Sequence, residues 1–239
     1  MNKSVRVIIL AGGKGRRLRP YTAVLPKPLM PVGEYPILEI VIKQLKAHGF
    51  EQITLAVGHL SELIRSYFGD GSRFGVKIDY SRESRPLGTM GPVSLIEGLD
   101  DTFLVMNGDV LTTLNYSSVV RFHRRNKAVA TIATRERAIE LGYGVIETDR
   151  GNRITNYIEK PTLNYRVSMG VYVFEPSVLR YVPKNRFMNV PDLVLRLLRK
   201  GERVMSYPTR AYWLDIGIPQ EYEQAMRDFE RDPKKFLPD

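Results

Sequence analysis

The stretch Val7 to Pro31, VIILAGGKGRRLRPYTAVLPKPLMP, decides how this 239-residue chain reads. It opens on Val7-Ile8-Ile9-Leu10, an apolar run rich in β-branched residues and therefore a strand buried on both faces. Ala11-Gly12-Gly13 follows at once, with Gly15 two residues later. Small residues here let the backbone approach a ligand closely and let its amides point at phosphate oxygens. Arg16, Arg17, Arg19 and Lys27 then put four cations into twelve residues. A glycine turn after a buried strand, loaded with fixed positive charge, is a polyphosphate site in outline.

Two familiar phosphate motifs do not fit. Gly12 to Arg19 does not supply G-x-x-x-x-G-K-[ST]. Gly13-Lys14-Gly15 gives only the first half of G-x-G-x-x-G, because position 18 is Leu18. Pro20, Pro26, Pro28 and Pro31 also argue against a helix starting directly after the glycines. The loop is an extended phosphate binder of another kind.

Gly12 to Thr22 followed by Pro26-Lys27-Pro28-Leu29 resembles the signature of the sugar-1-phosphate nucleotidylyltransferases, which join a nucleoside triphosphate to a sugar 1-phosphate and release pyrophosphate. One position departs from the pattern. The family usually has Thr or Ser just before its catalytic Arg, and Arg16 stands there. Arg17, followed by Leu18, aligns with that catalytic Arg.

Composition narrows the reading further. At 43 % hydrophobic and 26 % charged residues the chain is an ordinary globular protein, long enough for one large α/β domain. No apolar run reaches the roughly 18 residues of a membrane helix. Met1 to Arg6 leads straight into the first strand and leaves no room for a signal peptide. The absence of cysteine excludes disulfides, thiolate metal sites and cysteine nucleophiles. Together these point to the cytoplasm. The net charge of +10 raises nucleic acid as a partner, but the cations are dispersed and no basic stretch interleaves with aromatics. Polyanionic small substrates account for the charge equally well.

Strand and helix patterns alternate along the chain. Ile37 to His48 has helical apolar spacing and stops at Gly49. Ile53 to Val57 reads as a strand, Ser61 to Phe68 as a helix with Ser61 as N-cap, and Phe74 to Tyr80 as a short strand. His59 ends the second strand near the expected ligand side and reads first as a surface-loop histidine. A helix is expected over Val93 to Gly98, a strand over Thr102 to Met106, a helix over Tyr116 to Asn126 and a buried strand over Ala128 to Thr134. A hairpin turns at Asp149-Arg150-Gly151-Asn152. Pro191 to Lys200 reads as an amphipathic helix and Pro219 to Phe229 as the last one. This alternation predicts βαβ units: a single α/β domain with a mixed, mainly parallel sheet and helices on both faces. Within it the family resemblance implies a nucleotide-binding part over roughly 5–135, a sugar-binding part over 136–218 and a C-terminal helix over 219–239.

Asn107-Gly108-Asp109 closes an apolar strand, where open α/β sheets place ligands, and hard oxygen donors there suit Mg²⁺ shared with substrate phosphates. Several segments extend the family resemblance, which covers roughly residues 5 to 230. Asn107-Gly108-Asp109 matches the family's N-G-D, whose Asp binds metal. Pro86 to Gly91, PLGTMG, resembles the segment lying against the base, with Met90 for the usual Ala. Tyr143-Gly144-Val145 and Glu159-Lys160-Pro161 resemble sugar-binding motifs, and Trp213 to Gly217 resembles W-x-D-x-G. No hexapeptide repeats suggest the extensions that larger relatives carry.

The resemblance implies a Rossmann-like fold and a set of roles. Arg17, Lys27, Asp109, Lys160 and Asp215 are the expected catalytic residues. Leu10, Ala11, Gly12, Gly13, Gly15, Arg16, Arg17, Lys27, Gly88, Asn107 and Gly108 are expected at the nucleotide. Gly144, Glu159, Lys160 and Gly170 are expected at the sugar phosphate, and Asp109 and Asp215 at Mg²⁺. GTP is favoured from Gly88-Thr89-x-Gly91-Pro92, with dTTP, CTP and UTP open. The expected partners are the triphosphate and the sugar 1-phosphate, with no nucleic acid and no membrane. A homo-oligomer, dimer or tetramer, is compatible. Two rivals stand beside this reading: a catalytically silent nucleotide-sugar sensor, and a nicotinamide-dependent Rossmann enzyme, which the incomplete glycine fingerprint disfavours.

Overall fold

A computed structural model describes residues 5–238. The N-terminal residues 1–4, on which the signal-peptide reading partly rests, lie outside the described residues.

The apolar run becomes β1 (Arg6–Ala11). The cationic loop crosses three short 3-10 turns and a two-residue hairpin, β2 (Pro31–Val32) with β3 (Tyr35–Pro36), before α1 (Ile37–Ala47). Then come β4 (Gln52–Val57), α2 (Ser61–Phe68), β5 (Lys77–Arg82), β6 (Phe103–Asn107), β7 (Val110–Thr112) and α3 (Tyr116–Arg125). The second half supplies β8 (Ala130–Glu140), β9 (Val145–Thr148), β10 (Ile154–Ile158), β11 (Thr162–Phe174), α4 (Val190–Arg199), β12 (Val204–Pro208), β13 (Trp213–Asp215) and α5 (Pro219–Arg231).

Seven strands form one sheet in the order β12-β8-β11-β6-β1-β4-β5. β1 runs parallel to β4 and β6, β4 to β5, and β12 to β8. β11 alone is reversed, pairing antiparallel with both β6 and β8. The sheet is therefore mixed and mainly parallel, as expected. β8 runs through position 135, so the nucleotide and sugar parts share one sheet.

Side chains of β1 alternate between two cores. Val7, Ile9 and Ala11 face a cluster with residues of α1, α2 and α3. Ile8 faces a second cluster with Met90 to Leu99 and α4. Both faces of β1 are thus apolar because both are covered. α5 closes a third cluster, where Phe229 and Phe236 pack with Leu18, Met30 and Ile216 and so pin the cationic loop from below. No helix among the described residues is long and apolar enough to cross a membrane.

Four local expectations need correction. Val93 to Gly98 is not a helix: a 3-10 turn spans Gly91–Leu95 and ends in extended Ile96. Pro92 lacks an amide, and the Ser94 hydroxyl donates back to Gly91 O (2.7 Å), competing with helical bonding. Ser61 is the first helical residue rather than the cap; that place belongs to Leu60, in left-handed conformation. The strand expected over Phe74 to Tyr80 begins at Lys77, because Gly71 and Gly75, both at positive φ, bracket a 3-10 turn over Ser72–Phe74. Finally, the strand expected to end at Thr134 continues to Glu140, in an exposed ribbon with the first half of β11.

Candidate active site

A cleft of about 620 Å³ opens at the carboxyl ends of β1, β4 and β6. Leu10, Ala11, Gly12 and Gly13 form one wall; Lys27, Asn107, Gly108 and Asp109 line it from the neighbouring chain segments, and Gly88 from a third. These nine expected residues do come together. Gly15, Arg16 and Arg17 continue the loop outside the lining, with both arginines solvent-exposed on the 3-10 turn Arg16–Leu18.

The glycines differ in what they do. A Cβ on Gly13 would meet no atom of the described residues within 4 Å, so its bareness leaves space open in the cleft. Gly15, at φ +59°, is required by the fold itself: a Cβ would lie 2.9 Å from Thr22 Cγ2, and its carbonyl accepts from the Thr22 hydroxyl (2.7 Å) and from Leu18 N–H. Gly88, at φ +80°, has Met188 O 2.6 Å from where its Cβ would be, and a Cβ on Gly91 would run into Arg186 O. Their spacing answers to a neighbouring chain segment as much as to any base.

Short pairing between β7 and β13 sets Asp215 opposite Val110, beside Asp109. Ile216 N–H donates to Asp109 O at 3.1 Å. The Lys27 ammonium reaches in from the Pro26-Lys27-Pro28 turn, donates to Asp109 Oδ2 and lies 3.6 Å from Asp215 Oδ1. It fills the space a side chain at Gly217 would need. Burial raises the Asp109 carboxyl above its usual range; Lys27 pulls it back down, and Asp215 pushes it up again. Glu221 fixes the far carboxylate by accepting from Asp215 N–H (2.6 Å), and is itself paired with Arg137.

Gly170 sits at a register break of β11, between Ser168 and Tyr172, at φ +71° and against the Asn107 side chain. This bulge brings the reversed strand to the edge of the cleft. Gly144, Glu159 and Lys160 are elsewhere, on the exposed β9–β10 hairpin and its exit. Tyr157 donates its hydroxyl to Glu159 Oε2 (2.9 Å), and Gly144 lies against both side chains. They do not line the cleft.

His59 and Glu83 are among the cleft residues that no sequence motif marks. His59, expected as a surface-loop residue, lines the cleft, and its N–H approaches Gly12 O at 3.4 Å. Glu83, at the end of β5, lines it too. Its Oε2 accepts from Leu87 N–H (3.0 Å), and its Oε1 occupies the space that a Cβ on Gly12 would enter, 2.8 Å away. Burial raises the Glu83 carboxyl, and the Leu87 amide partly restores it. The conjunction of Gly12 with a carboxylate from the next-but-one strand is a tertiary event that no local pattern announces.

A central parallel strand, a glycine loop after it, and a cleft edge where one ammonium sits between Asp109 and Asp215 define an α/β fold built to bind at the carboxyl ends of its strands. The family model for nucleotidyl transferases matches residues 6–232, and this chain belongs to that family. It is 38 % identical to a UTP–glucose-1-phosphate uridylyltransferase of Synechocystis sp. over 93 % of its own length and 63 % of that protein's. It is 34 % identical to a mannose-1-phosphate guanylyltransferase of Mycobacterium tuberculosis, over 95 % and 65 %. It thus spans less than two thirds of these relatives. Among solved structures it resembles one assigned as a glucose-1-phosphate thymidylyltransferase from Bacillus anthracis, with a TM-score of 0.77, 26 % identity and 96 % of each chain covered. Three names carry three different bases, so family membership alone leaves the nucleotide to the chemistry of this cleft.

Proposed function

We propose that the chain transfers a nucleotidyl group from a nucleoside triphosphate, with GTP preferred, to a sugar 1-phosphate. The observation that carries this reading is the Lys27 ammonium held between Asp109 and Asp215 at the cleft, beside a glycine whose missing side chain faces open space. Hard carboxylate donors already gathered around a cation fit Mg²⁺. Asp109 and Asp215 would hold it, and when bound it supplies charge neutralisation at the α-phosphate.

The remaining chemistry belongs to the chain. A sugar phosphate oxygen, already anionic, attacks the α-phosphorus; the bond from that phosphorus to the bridging oxygen breaks, and pyrophosphate leaves with the electron pair. No general base is required. Positioning and charge compensation then carry catalysis. Gly12, Gly13 and Gly15 carry the triphosphate, Arg17 the leaving pyrophosphate and Lys27 the α-phosphate side. Arg16, solvent-exposed beside Arg17, is a second cation for the same polyanion. Lys160 and Glu159 serve the sugar phosphate from the hairpin.

Glu83 supports GTP. A carboxylate only accepts hydrogen bonds, and guanine presents two adjacent donors, N1–H and the N2 amino group, whereas uracil and thymine flank one donor with carbonyl oxygens. Pyrophosphate release with Mg²⁺, mannose 1-phosphate and glucose 1-phosphate, measured against GTP, dTTP, CTP, UTP and ATP, tests the reading. Release fastest with GTP is expected. Absence of release in every combination, with no nucleotide binding by thermal shift, would remove the assignment of the cleft.

A further inference from the structure

The cleft rim carries an aromatic ring that the proposed chemistry does not use. Phe187 is 63 % exposed and lines the cleft with Glu83, Pro86 and Gly88. A single exposed aromatic is ordinary on a protein surface, but this one stands on the wall of the cleft, next to the polar run Lys184-Asn185-Arg186.

The backbone beneath the ring is held. Met188 donates N–H to Leu87 O (2.9 Å) and accepts from Met90 and Gly91 N–H (2.8 and 3.0 Å). On one side, Asn185 donates N–H to Ser94 Oγ (3.1 Å), and its carbonyl accepts from Arg85 Nη2 (2.9 Å). On the other, Thr89 Oγ1 accepts from Val190 N–H (2.9 Å). Met188 and Val190 are buried in the core below, and Phe187, the residue just before them, is turned outward. Gly88 and Gly91 are the positions that let the two segments approach this closely. An aromatic ring on a pre-ordered backbone binds a flat partner without a further ordering cost.

We infer that Phe187 is the stacking face of the base subsite and that it favours purine over pyrimidine nucleotides. The inference rests on the reading of the cleft as a nucleoside triphosphate site. Glu83 meets the edge of the base, and Phe187 meets its plane. A stacked ring contributes through shared area, which is greater for a two-ring base.

The test is steady-state kinetics of Phe187→Ala and Phe187→Tyr, with nucleotide titration of Phe187→Trp read by fluorescence against the single native tryptophan, Trp213. Phe187→Ala should raise KM for GTP by about tenfold, within the range of base–aromatic stacking. kcat and KM for the sugar phosphate should hold, and Phe187→Tyr should restore the GTP value. Phe187→Trp should be quenched by GTP and GDP more than by UTP, beyond the wild-type signal. If the wild-type enzyme releases pyrophosphate but Phe187→Ala leaves KM unchanged and Phe187→Trp is not quenched, the stacking role is wrong and the transfer reading stands. A silent wild type with an unquenched Phe187→Trp ends both. A silent wild type whose Phe187→Trp is quenched by GTP supports the stacking role and removes only the transfer.

Discussion

Lys27 donates to Asp109 from a turn eighty-two residues earlier in the chain, and the same ammonium lies 3.6 Å from Asp215. One cation lies between two carboxylates and pulls down the Asp109 carboxyl, which burial and the neighbouring Asp215 charge push up. This is the electrostatic state of the site before substrate arrives. It accounts for three features at once: the rigid Pro26-Lys27-Pro28 turn, the missing side chain at Gly217 and the Glu221 brace on the Asp215 amide.

Replacement of Lys27 by Met leaves Asp109 and Asp215 facing each other uncompensated. The three side chains keep between 11 % and 27 % of their exposure, so the loss is smaller than for a fully buried pair, about 1–3 kcal/mol. Thermal melting should drop by several degrees, and millimolar Mg²⁺ should recover more stability in the variant than in the wild type. An equal Mg²⁺ increment in both would mean that the divalent ion binds away from the carboxylate pair. Turnover should fall at least about a hundredfold as positive charge at the α-phosphate is lost.

Gly13 and Gly88 separate two uses of glycine. Gly13→Ala meets no protein atom, so melting should be unchanged within about 0.5 kcal/mol, while KM for the triphosphate rises at least about tenfold because the methyl group stands in ligand space. Gly88→Ala combines a left-handed backbone with a contact to Met188 O at 2.6 Å, and should cost about 2–3 kcal/mol of stability. Melting curves with and without GTP distinguish the two; a destabilised Gly13→Ala would place that glycine among the fold's own requirements.

The position of the first loop was legible because its physics is local: a strand apolar on both faces must be central, and the glycine turn directly after it must then open at the carboxyl edge of the sheet. Asn107-Gly108-Asp109 was legible for the same reason, as a strand ending at the ligand edge. Glu83, Phe187 and the packing role of Gly88 and Gly91 were not. Each depends on chain segments far apart in sequence, Gly12 with Glu83 or Thr89 N–H bonding to Asn189 Oδ1, and no spacing rule connects them. The ribbon of β8 and β11 was missed because both its faces are wet, so it lacks the alternation that marks a half-buried strand.

A buried histidine sets a pH limit on the fold. His123 is fully buried on α3, with Nδ1 on Thr131 Oγ1 (2.8 Å) and Nε2 on Glu175 Oε1 (3.0 Å); Thr102 also donates to that Glu175 oxygen (2.7 Å). Burial lowers its pKa, Glu175 opposes this and Arg124 adds to it. His48, whose Nδ1 is buried without a partner among the described residues, shifts the same way through burial. The unfolded chain then binds protons first as pH falls through about 6.5, so stability is intact above that pH and declines below it. Each group contributes up to about 1.4 kcal/mol per pH unit until its folded pKa is reached. Melting should be flat from pH 8 to 7 and fall below 6.5, with a shallower fall in His123→Gln. Identical slopes in variant and wild type would assign the pH dependence to other groups.

Glu83 decides the base if its carboxylate meets guanine N1–H and the N2 amino group. Glu83→Gln turns one acceptor into a donor at the same size. The amide then opposes the guanine amino group but matches the carbonyl and N–H edge of uracil or thymine. kcat/KM for GTP should fall about 10- to 100-fold, as expected for a lost hydrogen bond to a charged group, while UTP and dTTP gain severalfold. The raised carboxyl adds a pH signature: it protonates at a higher pH than an ordinary glutamate, so KM for GTP should climb as pH falls while the carboxylate range is still being approached from above. Glu83→Gln should lack that climb. A variant that keeps the wild-type preference for GTP and the wild-type pH profile would show that the base is read by other groups of the cleft.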